Sequence, residues 1–166
     1  MEIPRGASTI ATPDPTSRPD TRTAPPRTAT ATVEAFLDAL RALDVEAARA
    51  LMAPDIVYQN VPYPPVRGPE ATIRVLRLFL VAATGFEVEM HHIASDGDVV
   101  LTERVDALTN GPVRVAFWVC GTFEVRDGLI TVWRDRFDHV DLAVALLRGL
   151  VQAPLRFVRT RTDGNG

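Results

Sequence analysis

The sequence predicts an α+β domain of segregated layers, three helices in front of a strongly curved mixed or antiparallel sheet, with one more helix near the end of the chain. Two features of the sequence predict it. Apolar residues recur at helical spacing as far as Val81 and then switch to a period of two after Gly85. The four alternating runs that follow are joined by short connectors rich in Asp, Asn and Gly, the pattern of a β-meander.

Residues 1–29 hold Pro4, Pro13, Pro15, Pro19, Pro25 and Pro26 among Thr, Ala, Ser and Arg, without an apolar face to bury, and read as a disordered tail. Residues 30–153 read as a single domain and 154–166 as a polar, basic tail. From Thr32, the residues Val33, Phe36, Leu37 and Leu40 form a helical stripe. Asp44 offers a cap for a second short helix through Leu51. Residues 56–61 suit a short strand, ended by Pro62, Pro64 and Pro65, which cannot donate to a ladder, and a loop follows. Gly68-Pro69-Glu70 starts a third helix, proline being tolerated in the first turn, with Ile73, Leu76, Leu80 and Val81 as its buried stripe. The meander runs through residues 86–94, 99–108, 113–125 and 129–137. A last helix over about 141–152 carries Leu142, Val144, Ala145, Leu147 and Leu150. A curved sheet wrapped against helices leaves a pocket on its concave face.

At 166 residues there is room for one core and one pocket, and 46% apolar with 23% charged residues is the composition of a folded globular chain. A net charge of −3 without a basic stripe gives little pull toward phosphate backbones, so no nucleic-acid partner is expected. All 18 basic residues are arginine, a bias read first as genomic base composition. Cys120 stands alone, so it forms neither an internal disulfide nor a cysteine metal site, and a reducing cytoplasm fits. The start of the chain lacks a basic-then-apolar secretory pattern. The most apolar stretch, around residues 75–83, is interrupted by Arg77 and far shorter than the about 20 residues of a membrane span. A soluble protein without membrane insertion is expected.

Strand alternation places Arg104 and Asp106 on one face and Glu103 on the other. It groups Trp133, Asp135 and Phe137 against Arg134 and Arg136, and Tyr58 with Asn60 in the earlier strand. An aspartate between two aromatics is odd for a solvated face. Singly, such residues most often make surface ion pairs contributing roughly 0–1 kcal/mol. Five polar groups on three strand faces carry more weight together.

In their order and separations, Tyr58-Gln59-Asn60, Arg104-Val105-Asp106 and Trp133-Arg134-Asp135-Arg136-Phe137-Asp138 resemble the limonene-1,2-epoxide hydrolase family over about residues 31–152. The resemblance implies the NTF2-like cone, related to SnoaL-like proteins, and usually a homodimer. It also implies Asp106 as general acid, Asp135 as general base, Arg104 bridging both carboxylates, and Tyr58 and Asn60 positioning the water. No cofactor is implied. The chemistry wants these residue types independently: opening an epoxide takes a proton from water while giving one to the departing oxygen, so an acid and a base must face each other. With Asp135 ionised and Asp106 protonated, Arg104 makes the set neutral, which a dry pocket tolerates. Burial and the neighbouring anion must then outweigh Arg104 and raise the pKa of Asp106, the two acids titrating as a unit. Leu108, Trp133, Phe137, Leu80 and Phe79 are candidates for an apolar lining, which suits a lipophilic epoxide.

Other candidates point elsewhere. His91 and His92 are adjacent and on a regular strand face opposite ways, so a shared metal is not expected. Cys120 alternates with Trp118 and Thr122 and reads as core; His139 reads as a helix-entry residue, Asp138 as structural, and Glu103 as a solvated or cross-strand salt-bridged carboxylate. A ketosteroid-isomerase-like or polyketide-cyclase-like enzyme is the alternative, although an arginine beside the base weakens it. A non-catalytic ligand-binding or dimerisation module is the third reading.

Overall fold

The computed structural model describes residues 27–140 except 82, together with 143, 144 and 147. Residues 1–26 of the tail expected over 1–29, most of the last helix and the segment 154–166 lie outside the described residues; His139, Val140, Ala143, Val144 and Leu147 are helical.

Helix α1 (Ala29–Arg41) starts three residues earlier than its apolar stripe, because the Thr28 hydroxyl caps it by accepting from the Ala31 N–H at 3.1 Å. Val33, Phe36, Leu37 and Leu40 are buried as the spacing demands. Helix α2 (Val45–Ala50) is capped by the Asp44 carboxylate on the Ala47 N–H at 2.9 Å. Helix α3 (Pro69–Leu80) has proline in its first turn and buries Ile73 and Leu76, but Val81, expected in the stripe, is 79% exposed because it lies past the last turn. Arg49 of α2 pairs with Glu70 of α3, and Arg41 of α1 donates to the Val88 carbonyl in the sheet.

Six strands form one curved mixed sheet: β1 (Met52–Val61), β2 (Val66–Arg67), β3 (Gly85–Asp96), β4 (Val99–Asn110), β5 (Val113–Arg126) and β6 (Leu129–Arg136), ordered β2-β1-β6-β5-β4-β3. The meander of β3 to β6 matches the expected runs within two residues at each end. Two features depart from expectation. Strand β1 begins at Met52, and Pro54 is accommodated because the pairing with β6 is irregular between Met52 and Val57. The segment expected as a loop contains β2, whose two residues beyond the proline cluster are too few to show a period. Strand β1 runs parallel to β6, so the sheet is mixed.

Helix α1 lies across β3, β4, β5 and β6, while α3 lies against β1 and β2. Phe36 of α1 meets Phe123 and Trp133 edge-on, with ring centroids 6.2 and 4.9 Å away. Ile56, Val100, Phe123 and Ile130 are fully buried around this contact. The aromatic plug fills one part of the concave face and leaves the part beyond it to polar residues.

Candidate active site

Cross-strand register assembles the polar group. On β4, Thr102, Arg104 and Asp106 face inward; Thr102 pairs with Gly121 of β5, and Gly121 with Asp135 of β6. The parallel pairing of β1 with β6 sets Asn60 beside Asp135 and Tyr58 beside Trp133. All five residues singled out from the sequence are buried on one face, Arg104 being only 1% exposed.

Arg104 is held on three sides. Its Nε donates to Asp106 Oδ1 at 2.9 Å, its Nη2 to Asp135 Oδ2 at 2.7 Å and its Nη1 to Thr102 Oγ1 at 2.9 Å. Asn60 Nδ2 donates to the Tyr58 hydroxyl at 2.7 Å, and the Tyr58 ring rests on Trp133 with centroids 4.1 Å apart. Asp135 Oδ1 is buried without a hydrogen-bond partner. A buried carboxylate oxygen in that condition is an acceptor available to a ligand or water.

Burial pushes the Asp106 carboxyl up to about 6; Arg104 opposes the rise and the Asp135 charge adds to it. Burial would lower the Arg104 pKa, but the two carboxylates more than reverse this and hold the guanidinium charged. The Tyr58 hydroxyl is also raised, mainly by burial and then by the Asp135 charge, so it stays protonated.

A cavity of about 280 Å³ opens onto this group. Tyr58, Asn60 and Asp135 line it, with Phe79, Leu80, Leu108 and Phe137 among its apolar walls. Arg104 and Asp106 lie in the adjoining wall, where Phe117 and Val119, their register partners on β5, face the cavity. Trp133, expected in the lining, belongs instead to the core: it is 3% exposed and packed among Tyr58, Phe36 and Phe123. Alternation aims it at the concave face, but α1 covers that part of the sheet.

Two contributors escape a reading of charged and aromatic residues. Thr102 takes the third guanidinium nitrogen, and Gly121 makes the room: a Cβ there would fall 2.5 Å from Arg104 Nη1 and from Thr102 Oγ1. A glycine inside a strand is the signal that could have found it, since it marks a close approach. The outer face corrects two further expectations. A bulge between Met90 and His92 resets the alternation, so both histidines lie outside, His91 against the Trp118 ring and His92 against Glu103 at 2.7 Å. Cys120 is exposed there, not core. Among the described residues no His, Cys, Asp and Glu cluster suits a metal ion. Asp138 accepts from the Val140 N–H at 2.7 Å, and the His139 ring lies between those of Tyr63 and Phe137.

Fold and site together define an NTF2-like domain with two buried aspartates joined by an arginine beside an apolar cavity. Residues 27–148 match the limonene-1,2-epoxide hydrolase catalytic domain, and the chain belongs to that family of hydrolases acting on epoxides. The epoxide hydrolase EphG of Mycobacterium tuberculosis is 53% identical over 119 residues, which are 72% of this chain and 79% of EphG. A solved LEH-like epoxide hydrolase of M. tuberculosis is similar at TM-score 0.70 and 50% identity, over 78% of this chain and 98% of that one. A Shewanella putrefaciens CN-32 protein described as a SnoaL-like polyketide cyclase shares the fold at TM-score 0.67 and 14% identity, over 72% of this chain and 86% of that one.

Removing the guanidinium strands two buried carboxylates, so Arg104→Ala is expected to cost about 3–5 kcal/mol of unfolding free energy in urea titrations at neutral pH. A loss under about 1 kcal/mol would show that the bridge is not structural. Alanine in place of a strand glycine ordinarily stabilises by roughly 0.5–1 kcal/mol. At Gly121 the sign should reverse, with a loss of about 1–3 kcal/mol from overpacking against Arg104, measured in the same titration.

Proposed function

We propose that the chain hydrolyses a lipophilic epoxide to a vicinal diol in one step, without a cofactor. Asp135 is the general base, Asp106 the general acid, and Arg104 the bridge that fixes both. Tyr58 and Asn60 hold the attacking water. The water's oxygen forms a bond to one oxirane carbon as Asp135 takes its proton; that carbon's bond to the ring oxygen breaks, and the oxygen takes the proton of Asp106. A proton returning from Asp135 to Asp106 resets the pair.

The observation that carries this reading is the unpartnered Asp135 Oδ1, next to Asn60 and at the cavity, on a carboxylate whose other oxygen is tied to Arg104. One oxygen is positioned and the other is left to accept. Arg104 binds both carboxylates, and the raised Asp106, which holds its proton up to about pH 6, supports a division of labour in which it is the acid and Asp135 the base. The apolar cavity walls support a lipophilic substrate.

We also propose a cytoplasmic homodimer. Trp118, 42% exposed, and Leu101, 53% exposed, give the outer sheet face an apolar surface that supports pairing, and a chain with one cysteine needs no oxidising compartment. No helix among the described residues is long and apolar enough to cross a membrane. Sedimentation of protein recovered from the cytoplasmic fraction is expected to give twice the 18.2 kDa chain mass, and Trp118→Arg to give the monomer. A wild-type monomer at micromolar concentration overturns the dimer.

Single-turnover reaction with a lipophilic epoxide in oxygen-18 water is expected to place label in the diol and none on protein. Labelled carboxylate would mean a covalent ester, and no diol from a broad epoxide panel would remove the activity. Asp106→Asn and Asp135→Asn should each lower kcat by on the order of 10²-fold or more with the fold intact by circular dichroism. Turnover near wild type in either removes that residue from the mechanism.

A further inference from the structure

Strand β3 is an edge of the sheet, and its Val88 is the register partner of Asp106, both side chains being buried. Residues opposite each other on an antiparallel pair have Cβ atoms about 4.5–5.5 Å apart, so Val88 packs beside the Asp106 side chain. Arg41, in the last turn of α1, reaches this point of the edge strand. Its Nε and Nη2 both donate to the Val88 carbonyl oxygen, at 3.1 and 2.7 Å, while its Nη1 pairs with Asp38 one turn earlier. A partly exposed arginine has water within reach, yet this one places two N–H groups on a single backbone oxygen of the strand beside Asp106.

Among the described residues, the other charged groups at Asp106 are Arg104 on its own strand and Asp135 on β6. Tyr58 on β1 is a further titratable neighbour, and Phe117, the register partner on β5, is apolar. Glu87 and Glu89, on either side of Val88, alternate to the outer face, where they meet Arg114 and His91. We infer that Arg41 is a positioning residue for the proposed reaction: from α1 it fixes the strand packed on Asp106 and sets a second cation near the acid, so that the pH at which the acid is lost is set partly from the helix layer.

This rests on Asp106 being the acid of the epoxide-hydrolase reading. Arg41 favours the carboxylate form of Asp106, as Arg104 does, against the burial and the Asp135 charge that favour the protonated form. Without Arg41 the proton therefore stays on Asp106 to higher pH. Water screens a partly exposed guanidinium, so the shift is modest, about half a pH unit. Asp38 works the other way, because its charge offsets that of Arg41.

The test is a carbon-13 NMR titration of the Asp106 carboxyl, with the pH dependence of kcat/KM on a lipophilic epoxide beside it, in the wild type and three variants. Arg41→Gln should raise the Asp106 midpoint by about half a unit and make kcat/KM at pH 8, relative to its value at pH 5, about threefold higher than in the wild type. Arg41→Lys, which keeps the charge but not the paired N–H donors, should leave the midpoint close to that of the wild type. Asp38→Asn should lower it, because the Arg41 charge is then unopposed. A merely structural Arg41 would lower kcat/KM at every pH alike in both Arg41 variants and leave the midpoint in place. An unmoved midpoint in Arg41→Gln or in Asp38→Asn overturns the inference, as does an Arg41→Lys shift equal to that of Arg41→Gln. Asp38 is exposed, so its arm decides the matter even if Arg41→Gln fails to fold. If the wild type opens no epoxide, the epoxide reading falls while the carboxyl titration still decides whether Arg41 acts on Asp106; if it opens epoxides and the midpoint does not move, only the role of Arg41 falls.

Discussion

A guanidinium buried to 1% exposure is the constraint around which the rest of this domain is arranged. Removing such a charge from water costs several kcal/mol, and that cost is recovered only if good geometry satisfies the group on every side. Arg104 meets the condition with two carboxylates and a threonine hydroxyl. Two ionised carboxylates around one cation would leave a net negative charge in a nearly dry place; one proton on the pair removes it. Asp106 is the member that burial pushes up, so the electrostatics of a stable interior coincide with the needs of the proposed acid–base pair.

The sheet provides the geometry through its pairings. The antiparallel register of β4, β5 and β6 lines up Thr102, Gly121 and Asp135 across three strands, and the absent side chain at Gly121 is the space that the guanidinium fills. The parallel step from β6 to β1 then sets Asn60 beside Asp135. A one-residue slip in any of these pairings would turn a polar group to the opposite face. Helix α1 closes the other part of the concave face with Phe36.

The fold was legible where the periodicities were long. The α1 stripe and the four meander strands follow from spacing and turn residues, and alternation put Arg104 with Asp106 and Tyr58 with Asn60 on the correct shared faces. Elements set by pairing rather than pattern were not legible: β2 is two residues long, and the parallel direction of β1 depends on a partner some seventy residues away. The bulge at Met90 to His92 broke the alternation that had separated the two histidines. Trp133 had the right face but the wrong neighbours, since only the packed structure tells which part of that face α1 covers. Gly121 offered a signal in its position within a strand, but nothing in the sequence says which side chain approaches it.

The proposed chemistry needs a protonated Asp106 beside an ionised Asp135, and the pH dependence of kcat/KM reads that state in the free enzyme. Asp106 is competent as an acid only while it holds its proton, and with its pKa raised to about 6 it loses the proton as pH rises through that value. Activity on a lipophilic epoxide should therefore decline above about pH 6, approaching a tenfold loss for each further unit. A kcat/KM that stays level from pH 5 to 8, or that rises across this range, would contradict it.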